Sequence, residues 1–370
     1  MELTSSLPPR MILDSINEGV YVTDTARRIV YWSKAAERIT GWPADEIVGK
    51  CCYDDVLCHV DKDGHRLCGE EYCPLHRSIM TGQSSRVPII VFAQTKKGGR
   101  LPLQVAVAPL RDAADQVVGG VETFRDLSDE FGDINRARAI QLLALPHALP
   151  TDPRIRFAAR YVPHDVIGGD YYAIAPLNAD CFGFMLADVT GHGVPAALYT
   201  MFLSSLWVSH LPLIAQPAEF AQVVSGRLRG LIHEEQPFAA ALCGVFDLAR
   251  GELRLAGAGN PPPLILRTDG RWEQPKARGL PLGLLEDVPY NEIVVPVQRG
   301  DCVLMFTDGA IEITGPNGKL LGIDGLQQVL RDVGYPGAAP AFDAIEERLL
   351  SASDRIRFDD DVTLIDVRLT

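Results

Sequence analysis

Four short aspartate motifs lie in the second half of the 370-residue chain, each beside glycine or at the edge of an apolar run. They contain Asp170 in GGDYY, Asp188 in LADVTGHG, Asp308 in FTDGAIE and the triplet at 359–361 in FDDDVTL. One such motif alone is typical of a turn or a helix cap. Four carboxylates at the ends of buried strands need partners, and shared Mg²⁺ or Mn²⁺ ions would supply them. Two such ions activate water for attack at phosphorus.

A second concentration of chemically active side chains lies near the N-terminus. Residues 51–73 hold five of the eight cysteines and two histidines. The spacings do not match the short C-x₂-C pairs of common zinc sites. The residues alone therefore leave three interpretations open, namely a metal or cluster site, a reactive-thiol redox switch, and free structural cysteines.

Composition limits the class of protein. Hydrophobic residues make up 47% of the chain and charged residues 22%, which is typical of globular domains, and the length predicts two or three of them. The net charge of −13 argues against non-specific nucleic-acid binding. We find no signal-peptide pattern and no run of about 18 apolar residues, so we expect a cytoplasmic protein without a membrane span or a disulfide framework.

The elements that must position these residues fall into three parts, which make an α+β chain. Residues 9–126 predict one sheet with a helical face, built from a strand–turn–strand unit, short helices and three further strands. Residues 127–150 predict a helix that ends before Pro146. This helix either packs on its own domain or pairs with a second copy and carries a signal. Residues 154–370 predict sheets flanked by paired helices.

The ordered motifs of residues 154–370 resemble the SpoIIE-like branch of the metal-dependent PPM protein phosphatases. They read GGDYY, ADVTGHGVPAAL, AGAGNPPPLI, LPLGL, FTDGAIE and DDDVTL. The resemblance implies an αββα sandwich with a binuclear Mn²⁺ or Mg²⁺ centre. It also implies removal of phosphate from serine or threonine of a protein.

The same resemblance implies a role for each matching residue. Asp188 would bridge both metals, and the Val189 carbonyl would complete the ligands of one. Asp308 and Asp360 would hold the other metal. Asp170 would act from outside the ligand set and orient the reacting water.

The loop after the bridging aspartate is expected to turn tightly at Gly191 and Gly193. His192 between them is interpreted as a loop residue in preference to a general acid. No motif marks a phosphate-binding arginine, although Arg156 and Arg160 are candidates.

Residues 9–126 resemble a PAS sensor domain. Some PAS domains also carry the arrangement C…H…LC…CPL. That resemblance implies Cys52 or Cys51, His59, Cys68 and Cys73 as ligands. Three thiolates and one imidazole suit Zn²⁺ or an iron–sulfur cluster.

The combination of the two domains resembles stress-response phosphatases that act on a STAS-type anti-sigma-factor antagonist. In that family the linker helix dimerises and controls metal binding by the phosphatase. The resemblance implies a homodimer joined through the PAS domain and residues 127–150, with no nucleic acid or membrane as a partner. Two alternatives are an inactive module that binds a phosphoprotein and a hydrolase of small phosphoesters.

Overall fold

The computed structural model describes residues 8–54, 56–61, 64–69, 72–85, 87–191, 193–230, 238–315, 318–337, 339–353 and 358–370. The chain divides into two compact units, residues 1–133 and 134–370. Each unit has its own sheets and its own hydrophobic core.

The first unit is an antiparallel five-stranded sheet with short helices between its strands. The strands are β1 (Gly19–Asp24), β2 (Ile29–Trp32), β3 (Ile89–Gln94), β4 (Arg100–Arg111) and β5 (Val117–Asp126). Their order across the sheet is β2-β1-β5-β4-β3. The helices are α1 (Pro9–Asp14), α2 (Lys34–Thr40), α3 (Ala44–Ile47) and α4 (Pro74–Thr81). The predicted strand–turn–strand unit and the three later strands are confirmed.

Local sequence explains how the hairpin of β1 and β2 leads into α2. The Ser33 hydroxyl accepts the backbone N–H of Ala36 at 3.2 Å and so caps the helix. Gly41, with φ of +76°, ends it in the left-handed conformation that favours glycine. The rings of Trp32 and Phe124, with centroids 6.1 Å apart, pack beneath in the core.

A single helix, α5 (Ser128–Ala144), spans the boundary between the two units. It ends two residues before Pro146, as the sequence predicted. Leu142 and Leu143 are exposed, whereas Gln141 is the one α5 residue that the structure buries.

The second unit contains two five-stranded sheets. The first, in the order β13-β10-β9-β8-β7, consists of β7 (Asp170–Pro176), β8 (Cys181–Val189), β9 (Ala239–Asp247), β10 (Glu252–Ala258) and β13 (Glu292–Pro296). The second, in the order β12-β11-β14-β15-β6, consists of β6 (Ile155–Val162), β11 (Leu264–Leu266), β12 (Trp272–Glu273), β14 (Cys302–Phe306) and β15 (Val362–Leu369). The helices are α6 (Val194–His210), α7 (Pro217–Arg229), α8 (Gly322–Asp332) and α9 (Phe342–Leu350).

Strand β14 shows how these layers pack. Its side chains alternate between the two faces of the sheet because the strand period is two. Val303 and Met305 belong to the central core with the other sheet and its helices. Leu304 and Phe306 belong to a separate cluster with α8 and α9. Helices therefore cover both outer faces, and the predicted αββα sandwich is confirmed.

Helix α6 is the most apolar helix of the second unit. It continues into a 3₁₀ turn, and the combined stretch Val194–Ala215 is long and apolar enough for a membrane span. It is not an unbroken apolar run, because Thr200, Ser204 and Ser205 interrupt it. Length and composition alone are weak evidence of a span, because core helices share them. Here Leu203, Leu206 and Trp207 are buried in the core of the sandwich.

Candidate functional site

The acidic motifs meet at one end of the sandwich. Asp170 begins β7 and pairs directly with Asp188 near the end of β8. Asp308 follows β14, and Asp361 comes just before β15. Because antiparallel neighbours place the start of one strand beside the end of the next, each sheet contributes acids to the same rim. The convergence expected from the sequence is present.

Asp170 ties the two sheets together at this rim. It is 1% exposed, and its Oδ2 accepts hydrogen bonds from Thr307 Oγ1 at 2.9 Å and Thr363 Oγ1 at 2.6 Å. Both threonines belong to the second sheet, where Thr307 directly follows β14 and Thr363 lies near the start of β15. Its Oδ1 is buried without a partner. Two fixed donors hold one oxygen, and the other is left to accept from a ligand.

Asp188 lies close to the other carboxylates of the rim. Burial, followed by repulsion from Asp170, Asp308, Asp360 and Asp361, raises its pKa to about 9. The pKa of Asp308 is also raised, by burial and by Asp360, although a hydrogen bond with Asp188 opposes the shift. Neighbouring carboxylates disfavour each other's charge in this way. The rim is short of positive charge.

Asp361 organises the backbone beside the cluster. Its carboxylate accepts the N–H of His164 at 2.6 Å and of Gly169 at 2.5 Å. A Cβ on Gly168 would lie 2.5 Å from Asp361 Oδ1 and 2.2 Å from the buried, unpartnered hydroxyl of Tyr161. Only glycine fits there. The sequence named the triplet at 359–361 but gave Asp361 no role, since nothing local shows which amides it binds.

The rim fits divalent cations by its chemistry. Its donors are carboxylate oxygens, which hard ions prefer. Two of them, Asp170 Oδ1 and Asp308 Oδ1, are buried without partners. Across the described ranges no three His, Cys, Asp or Glu side chains already surround one point as a ligand set.

The loop beyond Asp188 has the conformation that the sequence predicted. Gly191 and Gly193 have φ of +93° and +75°, which favour glycine. Val189 closes the strand by donating its N–H to the Gly169 carbonyl at 3.0 Å. His192 lies outside the described residues.

Of the two candidate arginines, Arg160 is already engaged. Its guanidinium donates to Glu346 Oε2 at 2.6 Å and lies 3.3 Å from Asp343. Arg160 is thus bound to α9 carboxylates, which compete with a phosphate.

Helix α5 reaches this rim through Gln141, a residue that the sequence reasoning missed. Its Nε2 donates to the Gly168 carbonyl at 2.6 Å and to Thr200 Oγ1 at 3.0 Å. The Gly168 N–H donates back to Gln141 Oε1 at 3.3 Å. The helix is therefore hydrogen-bonded to the segment that precedes Asp170.

The cysteine-rich segment forms a second polar cluster, inside the first unit. Cys52, Cys68 and Cys73 lie near one another and near Glu122, and the backbone N–H of His59 donates to Cys68 Sγ at 3.1 Å. Burial raises the pKa of the Cys68 thiol to about 12, with Cys73 adding to the shift. Three of the cysteines that the resemblance implied as ligands thus lie near one another, with the backbone of His59 beside them.

Cys51 is the exception. Its Sγ points to the Ala26 carbonyl at 4.0 Å and interacts with Tyr53. Of Cys51 and Cys52, only Cys52 belongs to the hydrophobic core cluster of the first unit. It is Cys52 that lies beside Cys68 and Cys73.

Buried beside the thiols is an acid that the sequence reasoning missed. Glu122 on β5 is 1% exposed, and burial raises its pKa to about 8, although a hydrogen bond with Tyr21 opposes the shift. His59 is also buried, and burial with the nearby Arg100 lowers its pKa to about 4. Burial therefore favours the neutral form of both side chains.

Fold and carboxylate rim together define a PP2C-like phosphatase domain joined to a PAS domain. A model of the PAS fold matches residues 9–127. The model described as stage II sporulation protein E (SpoIIE) matches residues 178–370, more than half of the chain. The chain belongs to the SpoIIE family.

Curated relatives and solved structures agree with this assignment. The chain is 25% identical over 249 residues to phosphoserine phosphatase RsbU of Bacillus subtilis (strain 168), covering 67% of this chain and 73% of RsbU. It is 24% identical over 185 residues to phosphoserine phosphatase RsbP of the same organism, covering 49% of this chain and 46% of RsbP. The chain therefore spans about half the length of RsbP.

Among solved structures, the SiaA-PP2C domain of Pseudomonas aeruginosa superposes with a TM-score of 0.55 at 24% identity. That match covers 65% of this chain and 98% of the domain. The phosphatase domain of SpoIIE from Bacillus subtilis, with a fragment of its regulatory domain, gives a TM-score of 0.52 at 16% identity. It covers 77% of this chain and 80% of the other. These likenesses establish the fold.

Proposed function

We propose that the protein is a signal-regulated, metal-dependent phosphatase that removes phosphate from serine or threonine of another protein. The observation that carries the proposal is the rim where two sheets bring together the buried Asp170, the half-buried Asp188 and Asp308, and the exposed Asp360. Carboxylates that raise each other's pKa and leave buried oxygens unpartnered are suited to divalent cations. The relatives named phosphoserine phosphatases support the same activity.

In this proposal Asp188, shared between two sites, and the Val189 carbonyl would hold one Mn²⁺ or Mg²⁺ ion. Asp308 and Asp360 would hold a second. When bound, the ions would supply charge stabilisation for an in-line displacement at phosphorus. Asp170, fixed by two threonine hydroxyls, offers its unpartnered Oδ1 to accept a hydrogen bond from the reacting water. The ordered hydrogen bonds of Asp170 keep that oxygen in place without a metal contact.

Control by the PAS unit is proposed to run through α5. Gln141 holds the segment before Asp170, so a shift of the helix along its axis would move that backbone. Ile140 and Leu143 on the same helix are 55% and 66% exposed. They support the further proposal that two copies pair through the PAS unit and this helix, since unpaired apolar side chains favour a helix partner.

The substrate is proposed to be a phosphorylated STAS-type anti-sigma-factor antagonist, on the resemblance to stress-response phosphatases.

The sensor is proposed to hold Zn²⁺ or an iron–sulfur cluster on Cys52, His59, Cys68 and Cys73. The alternatives, an inactive phosphoprotein-binding module and a small-phosphoester hydrolase, give different results in one assay.

That assay measures phosphate release by the full chain from a serine-phosphorylated STAS-type protein and from p-nitrophenyl phosphate, with and without Mn²⁺. We expect Mn²⁺-dependent release from the phosphoprotein, abolished in Asp308→Asn and unchanged in the exposed control Asp269→Asn. Binding without release would support the inactive module. Equal or faster turnover of the small ester would support the small-phosphoester hydrolase.

A further inference from the structure

Glu122 occupies an unusual position for a glutamate. It lies on the core-facing side of β5 together with Phe124, and only 1% of it is exposed. Tyr21 on the neighbouring strand hydrogen-bonds to the carboxyl, but Oε1 has no partner. A buried carboxyl oxygen without a hydrogen bond is costly, so its presence calls for a ligand or a function.

The side chain facing that oxygen is His59. Its Nε2 lies 3.8 Å from Glu122 Oε1, which is too long for a hydrogen bond. Nε2 is likewise buried without a partner. The two atoms would have to approach each other by about 1 Å to form a hydrogen bond. Cys52 and Cys68 lie near Glu122 and near Cys73, and the backbone N–H of His59 donates to Cys68 Sγ.

We infer that Glu122 is the carboxylate that accepts the Nε2–H of His59 when the cysteine cluster holds a thiolate-bound metal centre. The inference rests on the proposed sensor site and adds a residue that no part of that proposal contained. Histidine ligands of metals commonly donate their second ring N–H to a carboxylate, which fixes the tautomer. In this arrangement Nδ1 of His59 would be the ring nitrogen left to hold the metal.

Glu122 lies on the strand that leads into the linker helix. It is four residues before Asp126, where β5 ends, and α5 begins at Ser128. Glu122 is a positioning residue, because it acts on the metal through His59.

The test uses the full chain purified without air, with Co²⁺ as a spectroscopic probe and with zinc, iron and sulfide measured in the protein as isolated. We expect a bound metal or cluster in the wild type and its loss in Cys68→Ser. Glu122→Gln should weaken Co²⁺ binding roughly 10–100-fold and shift the Co²⁺ ligand-field bands. The exposed Glu18→Gln should change neither. Circular dichroism of each variant checks that the unit is folded.

Glu122→Asp covers the case in which the glutamine variant does not fold, and it should also weaken binding because its shorter side chain leaves His59 farther away. Unchanged affinity and spectrum in a folded Glu122 variant would overturn the inference and leave the thiol site intact. Wild-type protein that contains no zinc, iron or sulfide and takes up no Co²⁺ would overturn both. The phosphatase proposal is separate, since Mn²⁺-dependent phosphate release is measured independently.

Discussion

Replacing Asp188 by asparagine should stabilise the metal-free protein while it abolishes activity. In the metal-free fold, burial and four neighbouring acids raise the pKa of Asp188 from 3.8 to about 9. Between those two values the folded protein binds a proton that the unfolded chain does not. Stability therefore falls as the pH rises through this window. Asparagine carries no charge and escapes the penalty.

The magnitude follows from the same shift. At about pH 7.5, holding the proton costs up to ~5 kcal/mol, at about 1.4 kcal/mol for each pH unit above the ordinary pKa. Because the neighbouring acids share this cost, we expect removal of one of them to raise the free energy of unfolding by ~2 kcal/mol. For a unit of this size that corresponds to a rise of roughly 4–8 °C in Tm.

The assay is thermal unfolding of the full chain in EDTA and in Mn²⁺, for wild type, Asp188→Asn and the exposed control Asp269→Asn. Wild type and control should gain stability with Mn²⁺, since a ligand of the native state stabilises it. Asp188→Asn should gain stability in EDTA and respond little to Mn²⁺. A lower Tm of this variant in EDTA would refute the electrostatic reasoning, and a full response to Mn²⁺ would refute the ligand assignment.

Three further substitutions test the shell around the rim. Gly168→Ala places a Cβ 2.2 Å from a tyrosine hydroxyl and should lower kcat on the order of 100-fold, whereas Gly226→Ala, with open space around it, should keep full activity. Gln141→Ala leaves the Gly168 carbonyl without this donor, so denaturant unfolding should show a loss of ~1–3 kcal/mol and the Mn²⁺ dependence of activity should change. An unaltered Mn²⁺ dependence would count against signalling through α5. Thr363→Val removes one of the two hydroxyl donors to Asp170 and should cost ~1.5–3 kcal/mol, again by denaturant unfolding; no loss would mean that the hydroxyl contributes little.

The local sequence pattern was sufficient to predict much of the secondary structure of this protein. Apolar runs bounded by turn residues predicted β8, β9, β14 and β15, and each of them is a strand. The position of Pro146 predicted where α5 ends. Such features depend on neighbours in the chain, so the sequence contains their cause. The ordered motifs predicted the αββα sandwich through their resemblance to the SpoIIE-like phosphatases.

The residues missed by sequence reasoning are buried polar groups. Gln141 lies in a helix with many polar residues. In such a helix the sequence does not distinguish a buried glutamine from a solvent-exposed one. Glu122 gave a usable signal, since it alternates in step with Phe124 and period two places both on the core face. A charged residue on a core face was the clue.

By itself, the sequence determined which acids exist, which strands carry them and which cysteines are crowded together. Only the tertiary structure decided that Asp170 is held by Thr307 and Thr363, which are 137 and 193 residues away along the chain. It also decided that Cys52 and not Cys51 joins the thiol cluster. Such contacts depend on how sheets and helices pack, and packing is a property of the whole chain rather than of any window within it.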